Sequence, residues 1–195
     1  MSSIVISGDT SGAVTVSAPA IAGSNTLTLQ AATATSAVNK LETAVTCAGQ
    51  TSIDFTGIPS WVKRITVMFA GVSTSGTSPL LVQLAYGSST IENSGYSGSI
   101  SQSAASTYFT TGFLARYNQA AAATHSGLMT LVTSGSNLWV ENSVVGTTAT
   151  NDTASGAGFK TIGGTLNQIR ITTVNGLDTF DTTPSAGTIN LLLEG

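Results

Sequence analysis

The sequence predicts an all-β protein, an extended N-terminal β arm followed by an antiparallel, jelly-roll-like β-sandwich head. Three observations carry that expectation. Only 8 % of the 195 residues are charged, against ~25 % in an average soluble protein, and Ser, Thr, Ala and Gly stand in their place. Helix surfaces ordinarily use Lys, Glu and Arg, so this composition suits strands and turns. Apolar and polar residues alternate with period 2 over many short runs, and Gly- and Ser-rich turn signals separate those runs.

The arm comes first, over residues 1–37. Its runs "VTVS" and "TLTL" alternate strictly, "SGDTSG" and "AGSN" supply turn residues, and Pro19 interrupts any continuous strand. The apolar positions are Ile4, Ile6, Val14, Val16, Ile21, Leu27 and Leu29. From Ile4 to Ala37 there is no aromatic side chain, and Asp9 is the only charge. One copy of such a segment cannot make a core.

Residues 38–50 read as a linker. Val38, Leu41 and Val45 in "SAVNKLETAV" fall at i, i+3 and i+7, the only helical spacing in the chain, and predict a short helix.

The head occupies residues 51–195, where the large side chains arrive. In "WVKRITVMFAGV", Trp61, Lys63, Ile65, Val67, Phe69 and Gly71 share one face and Val62, Arg64, Thr66, Met68 and Ala70 the other, the pattern of a half-buried antiparallel strand. "PLLVQLAYG", "TYFTTGFLARY", "GLMTLV", "NLWVENSVV", "LNQIRITTV" and "TINLLLEG" follow with similar lengths. Gly/Ser-rich turns between them indicate a sandwich or jelly roll rather than a parallel sheet with crossover helices. Asn175-Gly176, between Val174 and Leu177, tolerates positive φ at both positions and predicts a tight type I′ hairpin.

Composition also narrows the function. A mean hydropathy of +0.28 in a chain without a membrane segment points to surface buried against other chains. No run approaches the ~18 apolar residues of a bilayer span, and no membrane insertion is expected. The start "MSSIVISGDTSG" lacks a basic n-region and a long apolar run, so secretory export is not expected. The net charge of −3, with six scattered basic residues, offers no stripe for nucleic acid.

Candidate chemistry is sparse, and no catalytic, cofactor or metal site is expected. Cys47 and His125 are the only residues of their kinds, which rules out a multi-cysteine zinc site or a His-rich centre. A Cys47/His125 nucleophilic pair has no flanking motif, and a small buried thiol and an ordinary loop histidine are the expected roles. Asp178 and Asp181 in "LDTFDTTP" are the closest carboxylate pair, with Asp54, Asp152 and Glu141 elsewhere. Beside turns they are expected to cap backbone amides rather than act on a sugar or bind calcium. "GAGFKTIGG" lacks the Gly-Lys-Ser/Thr of a phosphate loop. The sequon at Asn151 carries no weight without secretion. Among Tyr86, Tyr96, Tyr108 and Tyr117, the middle pair divides. Tyr108 and Tyr117 are expected to line the sandwich, whereas Tyr96, flanked by Gly95 and Gly98, is the candidate for a receptor-facing surface.

The opening "ISGDTSGAVTVSAPAIAGSNTLTLQAATAT" resembles a segment recurrent in structural proteins of tailed bacteriophages. "FTGIPSWVKRITVMFAGVSTSGTSPLLVQLAYG" and "LNQIRITTVNGLDTFDTTPSAGTINLLLEG" resemble the first and last strands of a β-sandwich module in phage fibre and tail proteins. The resemblance covers well over half the chain and leaves residues 91–164 unmatched. It implies a virion component assembled in the host cytoplasm, commonly a homotrimer, with an N-terminal attachment part and a C-terminal β head. The apolar arm positions Ile4 to Leu29 would then gain their core from sister chains or other virion proteins. A tail or baseplate fibre meeting a host surface glycan or protein, and a decoration protein clamping the major capsid protein, both suit an arm plus a head. A virion-bound polysaccharide-degrading enzyme is the third alternative, and the resemblance brings no catalytic residues with it.

Overall fold

The computed structural model describes residues 38–195, except positions 89, 104, 118, 149–151 and 183–185, together with the backbone of residues 3–7 and 13–17. The chain divides into two compact units, Met1–Ser36 and Ala37–Gly195. In the first, β1 (Ser3–Ser7) and β2 (Ala13–Ser17) pair antiparallel, with Ile4 opposite Val16 and Ile6 opposite Val14. Ile21, Leu27 and Leu29 lie outside the described residues.

The second unit is an antiparallel β-sandwich without a helix among the described residues. In chain order its strands are β3 (Asn39–Leu41), β4 (Val45–Thr46), β5 (Ser52–Thr56), β6 (Arg64–Val72), β7 (Leu80–Tyr86) and β8 (Thr90–Ile91). Then come β9 (Ser97–Gln102), β10 (Ala105–Phe109), β11 (Phe113–Arg116), β12 (His125–Gly135) and β13 (Leu138–Thr147). β14 (Thr153–Thr161), β15 (Leu166–Thr173) and β16 (Thr188–Glu194) complete it. The larger sheet runs β10-β9-β14-β13-β12-β6-β16-β3, with β4 also on β16, and the smaller runs β11-β7-β15-β5, with β8 on β7. The chain crosses repeatedly between sheets, so strands distant in sequence close one core.

That core follows the alternation. Ile65, Val67 and Phe69 of β6 are buried, and Leu80, Leu84, Phe113, Met129, Leu131, Ile169 and Ile171 meet them from both sheets. Phe113 takes Phe109 and Tyr96 edge-on at centroid distances of 5.8 and 4.8 Å, the arrangement that aromatic quadrupoles favour. The Phe109 ring fits only because β9 and β14 carry glycine beneath it. A Cβ at Gly98 or Gly158 would stand 2.4 or 2.7 Å from Phe109 Cζ. Alternation on β6 breaks after Phe69, where β12 shifts register and Gly71 adopts φ +67°. This bulge turns Val72 back into the core.

Two local expectations are overturned. Residues 38–50 are neither linker nor helix, because β3 and β4 add to the edge of β16, with Leu41 opposite Leu192 and Val45 opposite Ile189. A ten-residue helix is marginal in water, and the edge of β16 satisfies the same backbone groups with tertiary partners. Cys47 N–H continues the contact to Gly187 O at 2.9 Å. The sandwich therefore begins near residue 37 rather than 51. Asn175-Gly176 does not close a hairpin either. Only Gly176 has positive φ, its N–H bonds Thr173 O at 2.9 Å, and the Asn175 side chain accepts from Leu177 N and Asp178 N. The side chain has taken over the turn. Positive φ at both positions of a two-residue turn is found at Ser136-Asn137, joining β12 to β13.

Candidate functional site

Tyr96 faces inward and is 3 % exposed, so it is not a receptor-facing residue. Its hydroxyl accepts from Leu84 N at 2.7 Å and donates to Glu92 O at 3.0 Å. Lys160 Nζ stands 5.4 Å from its ring, pairs with Glu92 at 2.8 Å and donates to Ser94 O. Burial pushes the phenol far above its ordinary value. The flanking glycines serve inward packing rather than an exposed loop. Tyr96→Phe is expected to cost about 1–2 kcal/mol of stability, because it strands the buried Leu84 N–H, and a urea melt checks it. The exposed tyrosine is Tyr108, at 86 %, on edge strand β10 opposite Ser99. It does not line the sandwich, whereas Tyr117 does pack against the core.

Cys47 is buried, and burial followed by the Asp181 charge pushes its thiol up to about 11, so it stays protonated. His125 is not a loop residue. It opens β12, is fully buried, and neither ring nitrogen has a hydrogen-bond partner. Cys47 and His125 thus form no nucleophile–base pair. Burial, and then the Arg116 charge, lower the imidazole to about 4, so it is neutral at pH 7.

The paired aspartates do hold backbone and hydroxyl groups. Asp178 accepts from Ser78 N at 2.9 Å and from the Asn175 amide at 2.7 Å, and Asp181 accepts from Ser73 Oγ at 2.7 Å. Asp54 forms a two-pronged ion pair with Arg170 across β5 and β15, both contacts 2.7 Å. Among the described residues no three His, Cys, Asp or Glu side chains gather where they could hold a metal.

Two buried polar groups escape sequence reasoning. Arg116, at the end of β11, is 1 % exposed, pairs with Asp152 through Nη2, and donates from Nη1 to Val145 O at 3.3 Å. Asp152 also accepts from Ser103 Oγ at 2.7 Å. Further along β13, Glu141 and Ser143 point between the sheets, where the Ser143 hydroxyl offsets part of the cost of burying the Glu141 charge. A Cβ on Gly156 would sit 2.7 Å from Ser143 Oγ, 3.5 Å from Leu114 O and 3.6 Å from Glu141 Oε1, so glycine keeps this polar spot open. Burial pushes Glu141 up to about 7. A raised carboxyl is a general-base candidate only where substrate can reach it. Two surface hollows lie elsewhere, one of about 310 Å³ lined by Pro59, Lys63 and Trp139, another of about 240 Å³ beside Arg170 and Asn175.

The outside of the larger sheet is different. Leu128 and Val132 of β12, Val140 and Val144 of β13, and Phe159 of β14 are all 42 to 52 % exposed. Register makes them neighbours, with Leu128 opposite Val144, Val132 opposite Val140, and Val140 opposite Phe159. A shallow groove runs over Val140, Ala157 and Phe159. The chemistry this molecule presents to solvent is therefore apolar contact. Comparison with protein-family models, curated proteins and solved structures finds no match.

Proposed function

We propose that the chain is a non-enzymatic structural protein of a tailed-phage virion, a homotrimeric tail or baseplate fibre attached by its N-terminal arm. Its β-sandwich head connects fibre parts or meets a host receptor. The observation that supports this reading is the division into two units, a thin N-terminal segment and a sandwich whose core is complete by itself. Among the described residues inside the sandwich, Arg116 and Lys160 are paired, and Cys47, Tyr96 and His125 are held neutral. Tyr108 replaces Tyr96 as the aromatic side chain offered to a receptor.

Deleting residues 2–36 tests the division of labour. The armless protein is expected to remain soluble and β-rich by circular dichroism, and to be absent from purified particles. An armless chain that enters particles at the normal level overturns the reading. Polysaccharide cleavage by the intact chain favours the enzyme alternative.

A further inference from the structure

We propose that the outer face of the larger sheet is a self-association surface, covered by a second copy of this chain. It is carried by the head alone and goes beyond attachment through the arm.

The first argument is composition at a fixed register. Between β6 and β9 every outward position on β12, β13 and β14 is uncharged, and its centre is Leu128, Val132, Val140, Val144 and Phe159. An antiparallel sheet with one face in water normally alternates apolar-in with polar-out. β13 breaks that rule, because its outer face holds Val140 and Val144 while its buried face holds Glu141 and Ser143 beside Trp139 and Val145. Apolar side chains set outward on such a strand are those a partner would cover.

The second argument is size. Six strands from β16 to β9, at ~4.8 Å spacing and ~3.4 Å per residue, give a face of roughly 30 by 20 Å. That projects to ~600 Å², and side-chain relief brings the accessible area towards the ~800 Å² per partner of a stable interface. The apolar residues occupy the three central strands of that face, with polar residues on the flanking strands, the arrangement of an interface core and rim.

The third argument selects the partner. The charged position on this face is the row where Arg64 of β6 lies opposite Glu194 of β16, with Arg64 Nε 3.3 Å from the carboxylate. Both signs side by side are self-complementary. A second copy can set its Glu194 against Arg64 and its Arg64 against Glu194, whereas a strongly acidic or basic partner meets one repulsive contact for each attractive one. Among the described residues no other outward position on β12, β13 or β14 carries a charge, so a copy of the same uncharged surface fits best.

Thiol labelling of the full-length chain tests this, since the native Cys47 is buried and protonated and contributes little background. Val144→Cys places a thiol in the face, and Leu177→Cys places one on an exposed turn remote from it in sequence. At concentrations where sedimentation gives more than one chain per particle, a charged maleimide is expected to label position 144 at least about tenfold more slowly than position 177, the ratio for a site covered nine-tenths of the time. Adding Phe159→Lys, an exposed and therefore foldable change, is expected to restore fast labelling and lower the mass. Equal, fast labelling at both positions overturns the proposal. So does protection that persists in a single-chain species and vanishes when residues 2–36 are deleted, which assigns the face to the chain's own arm. Protection seen only in assembled particles assigns it to another protein and equally overturns self-association. None of these outcomes depends on whether the arm attaches to a virion.

Discussion

Arg116→Met is expected to lower the unfolding free energy by about 3–5 kcal/mol, because breaking a buried ion pair strands the remaining partner. The guanidinium is 1 % exposed and holds both Asp152 and the Val145 carbonyl. Asp152 keeps its contact with Ser103 and has a partly exposed side chain, which places the effect at the lower end. Removing both charges, in Arg116→Met with Asp152→Leu, is expected to recover part of the loss, the signature of a coupled pair. Urea melts of the two single variants and the double variant measure it. A second effect follows from His125, whose low value depends on burial first and on the Arg116 charge second. Without Arg116, the imidazole titrates closer to its ordinary 6.5.

Glu141→Gln is expected to change the pH dependence of stability. The carboxyl is raised from 4.5 to about 7 in the folded protein, so folding retains a proton that the unfolded chain releases. The stability linked to Glu141 is fully present below 4.5 and is lost as pH rises through about 7. At ~1.4 kcal/mol per unit the loss amounts to roughly 3 kcal/mol. His125 acts in the opposite direction. Its folded value of about 4 lies below the ordinary 6.5, so its contribution is present above 6.5 and lost as pH falls through about 4. Between pH 4.5 and 6.5 the two slopes oppose each other, and the wild-type protein is expected to show a broad plateau. Glu141→Gln is expected to make stability rise across that interval, and His125→Leu to make it fall. Denaturant melts at half-unit pH steps distinguish the two slopes.

The fold was legible wherever alternation was unambiguous. Ile65, Val67 and Phe69 marked the inward face of β6, and Gly/Ser-rich runs marked the turns. The failures have local causes. Val38, Leu41 and Val45 have helical spacing, but β16, some 150 positions later in the chain, supplies the backbone partners that make β3 and β4. Asn175 bonds its own turn through its side chain, which a dipeptide rule for hairpins does not register. Tyr96 sits between glycines that make room for Phe109 and Lys160, a long-range requirement with no local mark. Glu141 was hidden for a related reason. Both phases of β13 mix apolar and polar residues, so the phase that buries Trp139, Glu141 and Ser143 could not be chosen from the pattern. Val140 and Val144 on the other phase are the sequence signal of the outer face. The composition of 8 % charge with positive mean hydropathy carried the same expectation.

Cryo-electron microscopy of purified particles tests the central claim most directly. Density for the sandwich is expected at the tail or baseplate, in three copies about an axis, with the N-terminal arms leading into neighbouring virion proteins. Sandwich density on the capsid shell would replace the fibre assignment with that of a cement protein. Particles that are complete without this chain would contradict the structural role itself.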